Sequence, residues 1–242
     1  FPVGNEDILY FVFTFYNVTA RKSSGAYANA TIPVEIQNEI GDIGDQFQNL
    51  NEAKFGVDVP DGGYPIGSMY AAFGMDADVA VFSTNYAPAV LPLDIGTIYA
   101  GDFLPEVGWT FPPSFFGAPF AAATGFVGAK YLRSPESSPG VQVGLTMFSN
   151  TVNSATGFPD PVGVNQLYRY LSGYVGPADN SCNPFTDPAQ ARTRRLCFLG
   201  TAQADARFFQ SSGPFVLPPG EARTIVVAYI NGAPLATELA AL

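Results

Sequence analysis

Histidine is absent from these 242 residues. Its absence excludes a Ser-His-Asp triad, a Cys-His nucleophile pair, histidine-ligated haem and any zinc site that uses an imidazole. Charge is also scarce, at 13% of the chain, about half the usual share for a soluble domain. The charge present is mostly negative, 21 Asp and Glu against 11 Lys and Arg, for a net charge of −10. With no basic block, nucleic acid is not an expected partner. No short period, heptad or 20–50-residue repeat is visible, which argues against collagen-like, coiled-coil and solenoid designs. No Gly-rich phosphate loop of the Walker or dinucleotide type occurs.

Apolar residues make up 47% of the chain and aromatics 14%, so the chain is not a disordered one. The 25 glycines and 21 prolines are spread along it as turn punctuation. Phe, Tyr, Val and Thr favour pleated, half-buried surfaces. Together these features predict an all-β protein, specifically an antiparallel β-sandwich, Ig-like or jelly-roll-like, with long Gly/Pro-rich loops and at most one or two short helices. No composition break divides it, so residues 1–242 read as one domain.

Several segments carry specific expectations. Ile8 to Tyr16 is apolar on both alternating faces, which predicts a central strand packed from two sides. Thr31 to Ile36 reads as an edge strand and Glu39 to Asp45 as a Gly/Asp loop. Thr124 to Leu132 and Gln142 to Phe148 read as neighbouring strands. Val164 to Leu171 places Val164, Leu167, Tyr168 and Leu171 at helical spacing. Ser212 to Ile230, turning at Pro218-Pro219-Gly220, reads as a terminal hairpin. Asn17-Val18-Thr19 and Asn29-Ala30-Thr31 match the N-glycosylation pattern but read better as polar strand ends. Val107 to Ala129 holds 23 residues without a charge, long enough to cross a bilayer as a helix. Pro112, Pro113, Pro119 and four glycines break that helix, so no transmembrane segment is expected there.

Cys182 and Cys197 are the two cysteines. They sit at the ends of a polar segment that reads as a loop, and a disulfide closing about 15 residues would stabilise the fold by roughly 3 kcal/mol. Such a bond implies an oxidising compartment. The chain begins with Phe and shows no basic n-region with an apolar run. It therefore reads as a processed protein or a piece of a longer secreted precursor.

Three runs resemble one family. Arg207 to Glu221, containing Ser211-Ser212-Gly213-Pro214-Phe215-Val216-Leu217-Pro218-Pro219-Gly220-Glu221, followed by Thr224-Ile225-Val226-Val227-Ala228, resembles an SSGPFxLxPG[DE]-strand element of uncharacterised bacterial secreted and cell-surface β-sandwich proteins. Asp7 to Thr19 resembles their aromatic strand, and Phe126 to Pro135 their VGxKxLxxP strand and turn. The three runs lie in family order and bracket most of the chain. The resemblance implies an extracytoplasmic β-sandwich, often with sorting or anchoring tails, and no established catalytic activity. No catalytic residue is carried over, and the cysteine segment lies outside the pattern.

Candidate sites remain few. Asp42 with Asp45, and Asp76 with Asp78, are the metal candidates, because closely spaced carboxylates on turns can converge on Ca²⁺. The competing reading is Asx residues bonding their own turns. Any chain with 21 acids offers carboxyl pairs, so glycosidase chemistry is not singled out. Lys22, Lys54 and Lys130 lie in no Ser-Lys motif. Trp109 to Phe120 packs five large aromatics into twelve positions. It reads either as a loop folded onto the core or as a docking surface anchored by Trp109, Phe115 and Phe116. Arg192, Arg194 and Arg195 gather three of the 11 basic residues in the cysteine segment. They suit a solvated loop or an electrostatic contact with an acidic partner or anionic headgroups.

The expectation is a non-enzymatic, extracytoplasmic structural or interaction protein of bacterial type: a cell-surface, filament or adhesive component that self-assembles or binds protein partners. The first alternative is an accessory extrinsic subunit on the periplasmic face of a membrane complex, such as a photosynthetic one, touching the membrane only peripherally. The second is a carbohydrate-binding or carbohydrate-active protein using Trp109 with Tyr99 as a platform. Apart from the possible structural calcium, no cofactor is expected.

Overall fold

Side-chain alternation along extended segments dominates the architecture. A computed structural model describes residues 8–79, 82–90, 93–100, 126–138, 140–152, 160–173, 184–187, 192–197 and 203–232. Among them are thirteen strands and two α-helices, consistent with an all-β chain, although one helix, of 19 residues, is longer than the short helices expected. The strands are β1 (Ile8–Tyr16), β2 (Ile66–Met75), β3 (Asn85–Tyr86), β4 (Ala89–Val90), β5 (Ile95–Ala100), β6 (Phe126–Arg133), β7 (Glu136–Ser138), β8 (Val141–Gln142), β9 (Met147–Val152), β10 (Pro184–Asp187), β11 (Arg192–Cys197), β12 (Ala206–Leu217) and β13 (Ala222–Gly232). The helices are α1 (Gln37–Phe55) and α2 (Val164–Leu171). No described helix is long and apolar enough to cross a membrane.

One sheet runs β1-β13-β6-β5-β3, with β4 also on β5; a second runs β10-β11-β9-β12-β2; β7 and β8 form a small ribbon. Every pairing is antiparallel except β11 on β9. Ile98, Ala129, Tyr131, Ile225 and Val227 from the first sheet share one buried cluster with Ala71, Phe148, Phe208, Phe215 and Leu217 from the second. Phe148 and Phe208 meet with ring centroids 5.4 Å apart. Gly96 faces them, and a Cβ there would stand 2.6 Å from the Phe208 ring, so only glycine admits this approach. The Tyr131 hydroxyl donates across the interior to the carbonyls of Ala71 (2.9 Å) and Gln210 (3.0 Å). Burial pushes its pKa above the usual phenol value.

Several expectations need correction. β1 is not central: among the described residues it pairs only with β13, and Leu9 to Thr14 are exposed. Apolarity on both faces measures what a strand could bury, not what covers it. Residues 31–36 form turns, not a strand, and the expected Gly/Asp loop is the first half of α1. Gly41 and Gly44 are close-packing positions rather than turn signals. A Cβ on Gly44 would lie 2.2 Å from both the Ala20 carbonyl oxygen and the Tyr27 hydroxyl. Gln142 to Phe148 does not neighbour β6: Val141–Gln142 closes a ribbon with β7, and Met147–Val152 enters the other sheet.

The terminal pair is not a hairpin either. β12 and β13 belong to different sheets, so the turn at Pro218 to Glu221 carries the chain across the interior. Gly220 takes φ +70°, and the Glu221 N–H donates to the Pro218 carbonyl at 3.2 Å. A strand–turn–strand pattern is the same for a hairpin and for an arch between sheets, so local sequence does not separate them. The helix over 164–171 forms as expected, but its inward residue is Tyr170, while Val164 is 80% exposed. The cysteine segment contains the antiparallel pair β10–β11 rather than one continuous loop.

Both Asn-x-Thr runs fold as Asx turns. Asn17 is fully buried; its side chain donates to the carbonyls of Tyr64 and Leu217 and accepts from the Thr19 N–H and hydroxyl. Asn29 likewise accepts from the Thr31 N–H and hydroxyl and donates to the carbonyls of Ala26 and Gly220. Asn17 lies just past the end of β1, as a polar strand end should, whereas Asn29 clamps a turn region with no strand beside it in sequence.

Candidate functional site

Four features stand out among the described residues: an acidic hub, a lysine-bound acid pair, an open cleft and an uncovered sheet edge. The hub arises from sheet register. Phe208 of β12 pairs with Met75 of β2, so Asp76 just beyond β2 arrives beside Asp205 and Arg207. On the other flank Arg207 pairs with Thr151 of β9, whose hydroxyl bonds the Asp160 carboxylate at 2.9 Å. Arg207 reaches Asp76 at 3.2 Å, Asp205 at 3.1 Å, and Asp160 through Nη1. Its side chain is 18% exposed.

One guanidinium faces three carboxylates, and Asp78 stands close by. Carboxylate oxygens of Asp76, Asp78 and Asp205 lie within 4.8 Å of one another. Burial first, with Asp205, Asp78 and Asp160 adding to it, pushes the Asp76 pKa above the usual carboxylate value, while Arg207 opposes the rise. For Arg207, burial works against the charge, yet Asp160, Asp76 and Asp205 together hold its pKa above the ordinary guanidinium value.

The other acid pair, Asp42 and Asp45, sits one helical turn apart on α1. Asp42 bonds Lys22 Nζ at 2.8 Å, and Asp45 accepts the Lys22 backbone N–H at 2.9 Å. These carboxylates fasten the 3₁₀ turn Lys22–Ser24 to the helix rather than converging on one point.

The cleft, of about 810 Å³, lies between the β6–β7 corner and β12 and includes Thr31, Arg133, Ser134, Glu136 and Val216. Two arginines and two glutamates line it, Arg133 and Arg223 against Glu136 and Glu221, so formal charge selects no ligand sign. No site was expected there from the sequence, although its walls include Arg133 to Pro135 and Pro214 to Val216, which belong to two of the runs that carry the family resemblance.

The uncovered edge is β1. Leu9, Phe11 and Phe13 alternate on one side of it and Tyr10, Val12 and Thr14 on the other. Phe11 stacks on Phe13 (6.2 Å, interplanar 10°) and touches Phe73 of β2 at 6.1 Å. Val12 is 65% exposed, Leu9 50% and Phe13 41%. The strand contains no charged residue, no glycine and no proline.

Of the residues singled out from sequence, Asp76 and Asp78 come together, and the structure adds Asp205, Asp160 and Arg207. Nothing local could have found these partners, the farthest of which are separated by more than half the chain. Arg192, Arg194, Arg195 and Cys197 lie on β11. Tyr99 packs on Tyr86 with centroids 5.6 Å apart. Trp109, Phe115, Phe116 and Cys182 lie outside the described residues. No family model, no curated protein and no solved structure matches this chain.

Proposed function

We propose that this chain is a non-enzymatic, extracytoplasmic structural and interaction protein built on a β-sandwich, and that it works by associating through its sheet edges. The observation that carries the reading is β1: six consecutive exposed residues, Leu9 to Thr14, on an uncharged strand with no partner on its outer side among the described residues. Folded proteins normally blunt such an edge with charge, proline, a bulge or a cover. The sandwich reading is supported by the single buried cluster that draws side chains from both large sheets.

The oxidising location rests on the two cysteines. β10 and β11 pair Pro184 with Arg195 and Phe185 with Arg194. Cys197 ends β11, and a disulfide joining it to Cys182 would close about 15 residues and stabilise the fold by roughly 3 kcal/mol. A non-reducing peptide map containing a 182–197 cross-link supports this location, and two free thiols in protein from its native source remove it.

We read the acidic hub as a structural lock, in which Arg207 supplies the cation its carboxylates require. A melting temperature that rises steeply with Ca²⁺ would instead make Asp76, Asp78 and Asp205 a calcium site. The deciding experiment for the function is purification from the native source with identification of co-purifying chains and of assembly size. A self-assembled or stoichiometric complex supports the reading. A solitary monomer that turns over a glycan overturns it.

A further inference from the structure

We propose that β1 pairs antiparallel with β1 of a second copy of this chain, about a two-fold axis through Val12. This rests on the associative reading above and names the partner. Three observations converge on a copy of the same strand.

The first is how open this edge is left among the described residues. β1 runs for nine residues in unbroken register with β13, from Ile8 opposite Ile230 to Tyr16 opposite Ala222, without a bulge. The other edge strand that flanks it, β2, is treated differently. It contains Gly67 and Gly74, it has Ser68 at φ +51°, and its register with β12 is broken twice. β1 carries none of these protective devices, so its outer row of backbone N–H and C=O groups is a template for another strand.

The second is self-complementarity. With Val12 opposite Val12, Phe11 faces Phe13, Tyr10 faces Thr14, Leu9 faces Phe15 and Ile8 faces Tyr16. Because residues on one side of a strand alternate, every such pair keeps like faces together. The stacked Phe11 and Phe13 of each copy would join into one aromatic row, and cross-strand aromatic pairs are among the stabilising ones.

The third is charge. The chain carries −10, so most faces of two copies repel, whereas β1 is uncharged and lets them approach. An unrelated basic partner would find no acid on this strand to recognise.

The test compares the wild-type chain with Val12→Lys by sedimentation equilibrium, with circular dichroism to confirm the fold. Wild type should show a concentration-dependent monomer–dimer equilibrium. Val12→Lys sets two ammonium groups opposite each other on the axis and should raise the dimer Kd by about tenfold or more. Independently, Val12→Cys should give an oxidised dimer whose peptide map contains a 12–12 link. Thr14→Cys, which would face Tyr10 of the other copy, should not link to itself. If Val12→Lys associates like wild type, β1 pairing is overturned while association by another surface stands. A self-link at position 14 in place of 12 overturns the proposed register. A wild-type chain that stays monomeric at every concentration overturns the pairing, and association with other proteins is then judged separately by co-purification.

Discussion

Among the described residues β1 and β2 are both edge strands, and they lie close enough for Phe11 and Phe73 to touch, yet they are built differently. β2 is irregular, and it is fastened to the rest of its sheet by core residues. Its Ala71 is fully buried, its carbonyl there accepts from Tyr131, and the Ser68 carbonyl accepts from Tyr168 on α2. β1 is regular, uncharged and exposed along its middle. Irregularity on one edge and regularity on the other teach that edge protection here is selective. Substitutions near β2 and β12 should therefore change stability, and substitutions on β1 should change association.

The largest expected effect is at Phe208. It is fully buried between the sheets, and Phe208→Ala should cost about 3–5 kcal/mol in urea unfolding. A smaller loss than that from Phe11→Ala would break the contrast between the two regions. Next is Arg207→Ala, which leaves Asp160, Asp205 and Asp76 facing one another without a cation. Between the values for exposed and buried pairs, a loss of about 2 kcal/mol is expected. Ser68→Gly should act in the other direction, stabilising by about 0.5–1 kcal/mol, because glycine accepts a positive φ that serine adopts at a cost. Val12→Lys should change monomer stability by less than about 0.5 kcal/mol, since the site is exposed. A large loss of monomer stability at Val12 would show that β1 serves the core.

The hub also predicts a pH dependence. The Asp76 carboxyl has its pKa raised in the folded protein, so the folded state binds this proton more tightly than the unfolded chain. Its contribution favours folding at acid pH and declines as pH rises through and above the ordinary carboxylate value. Asp76→Asn removes that decline. Its melting temperature should match wild type near the acid end and equal or exceed it at neutral pH. A variant less stable than wild type at neutral pH would mean that the Arg207 ion pair outweighs burial and repulsion.

The legible part of this protein lay in its local chemistry. The aromatic and β-branched runs marked β1, β6 and β13 close to their observed limits and the second half of β12, and helical spacing found α2. Glycine misled where it served packing: Gly41 and Gly44 punctuate the sequence like a loop, but they let α1 lie against Ala20, Lys22 and Tyr27. The hub was half legible. Asp76 and Asp78 are conspicuous two residues apart, whereas Arg207 and Asp160 join them only through the pairing of β12 with β2 and β9.

Composition and alternation by themselves determined that the chain is all-β, that histidine chemistry is closed to it, and that Ile8 to Tyr16 is a strand apolar on both faces. Tertiary structure alone decided that this strand pairs on one side only among the described residues, that β12 and β13 part into different sheets, and that four scattered acids gather near one arginine. The reason is physical. Strand formation depends on the pleat and on residues two apart, so it is written locally. Coverage, register and charge gathering depend on which distant strands pair, and one residue of slip would reverse every face.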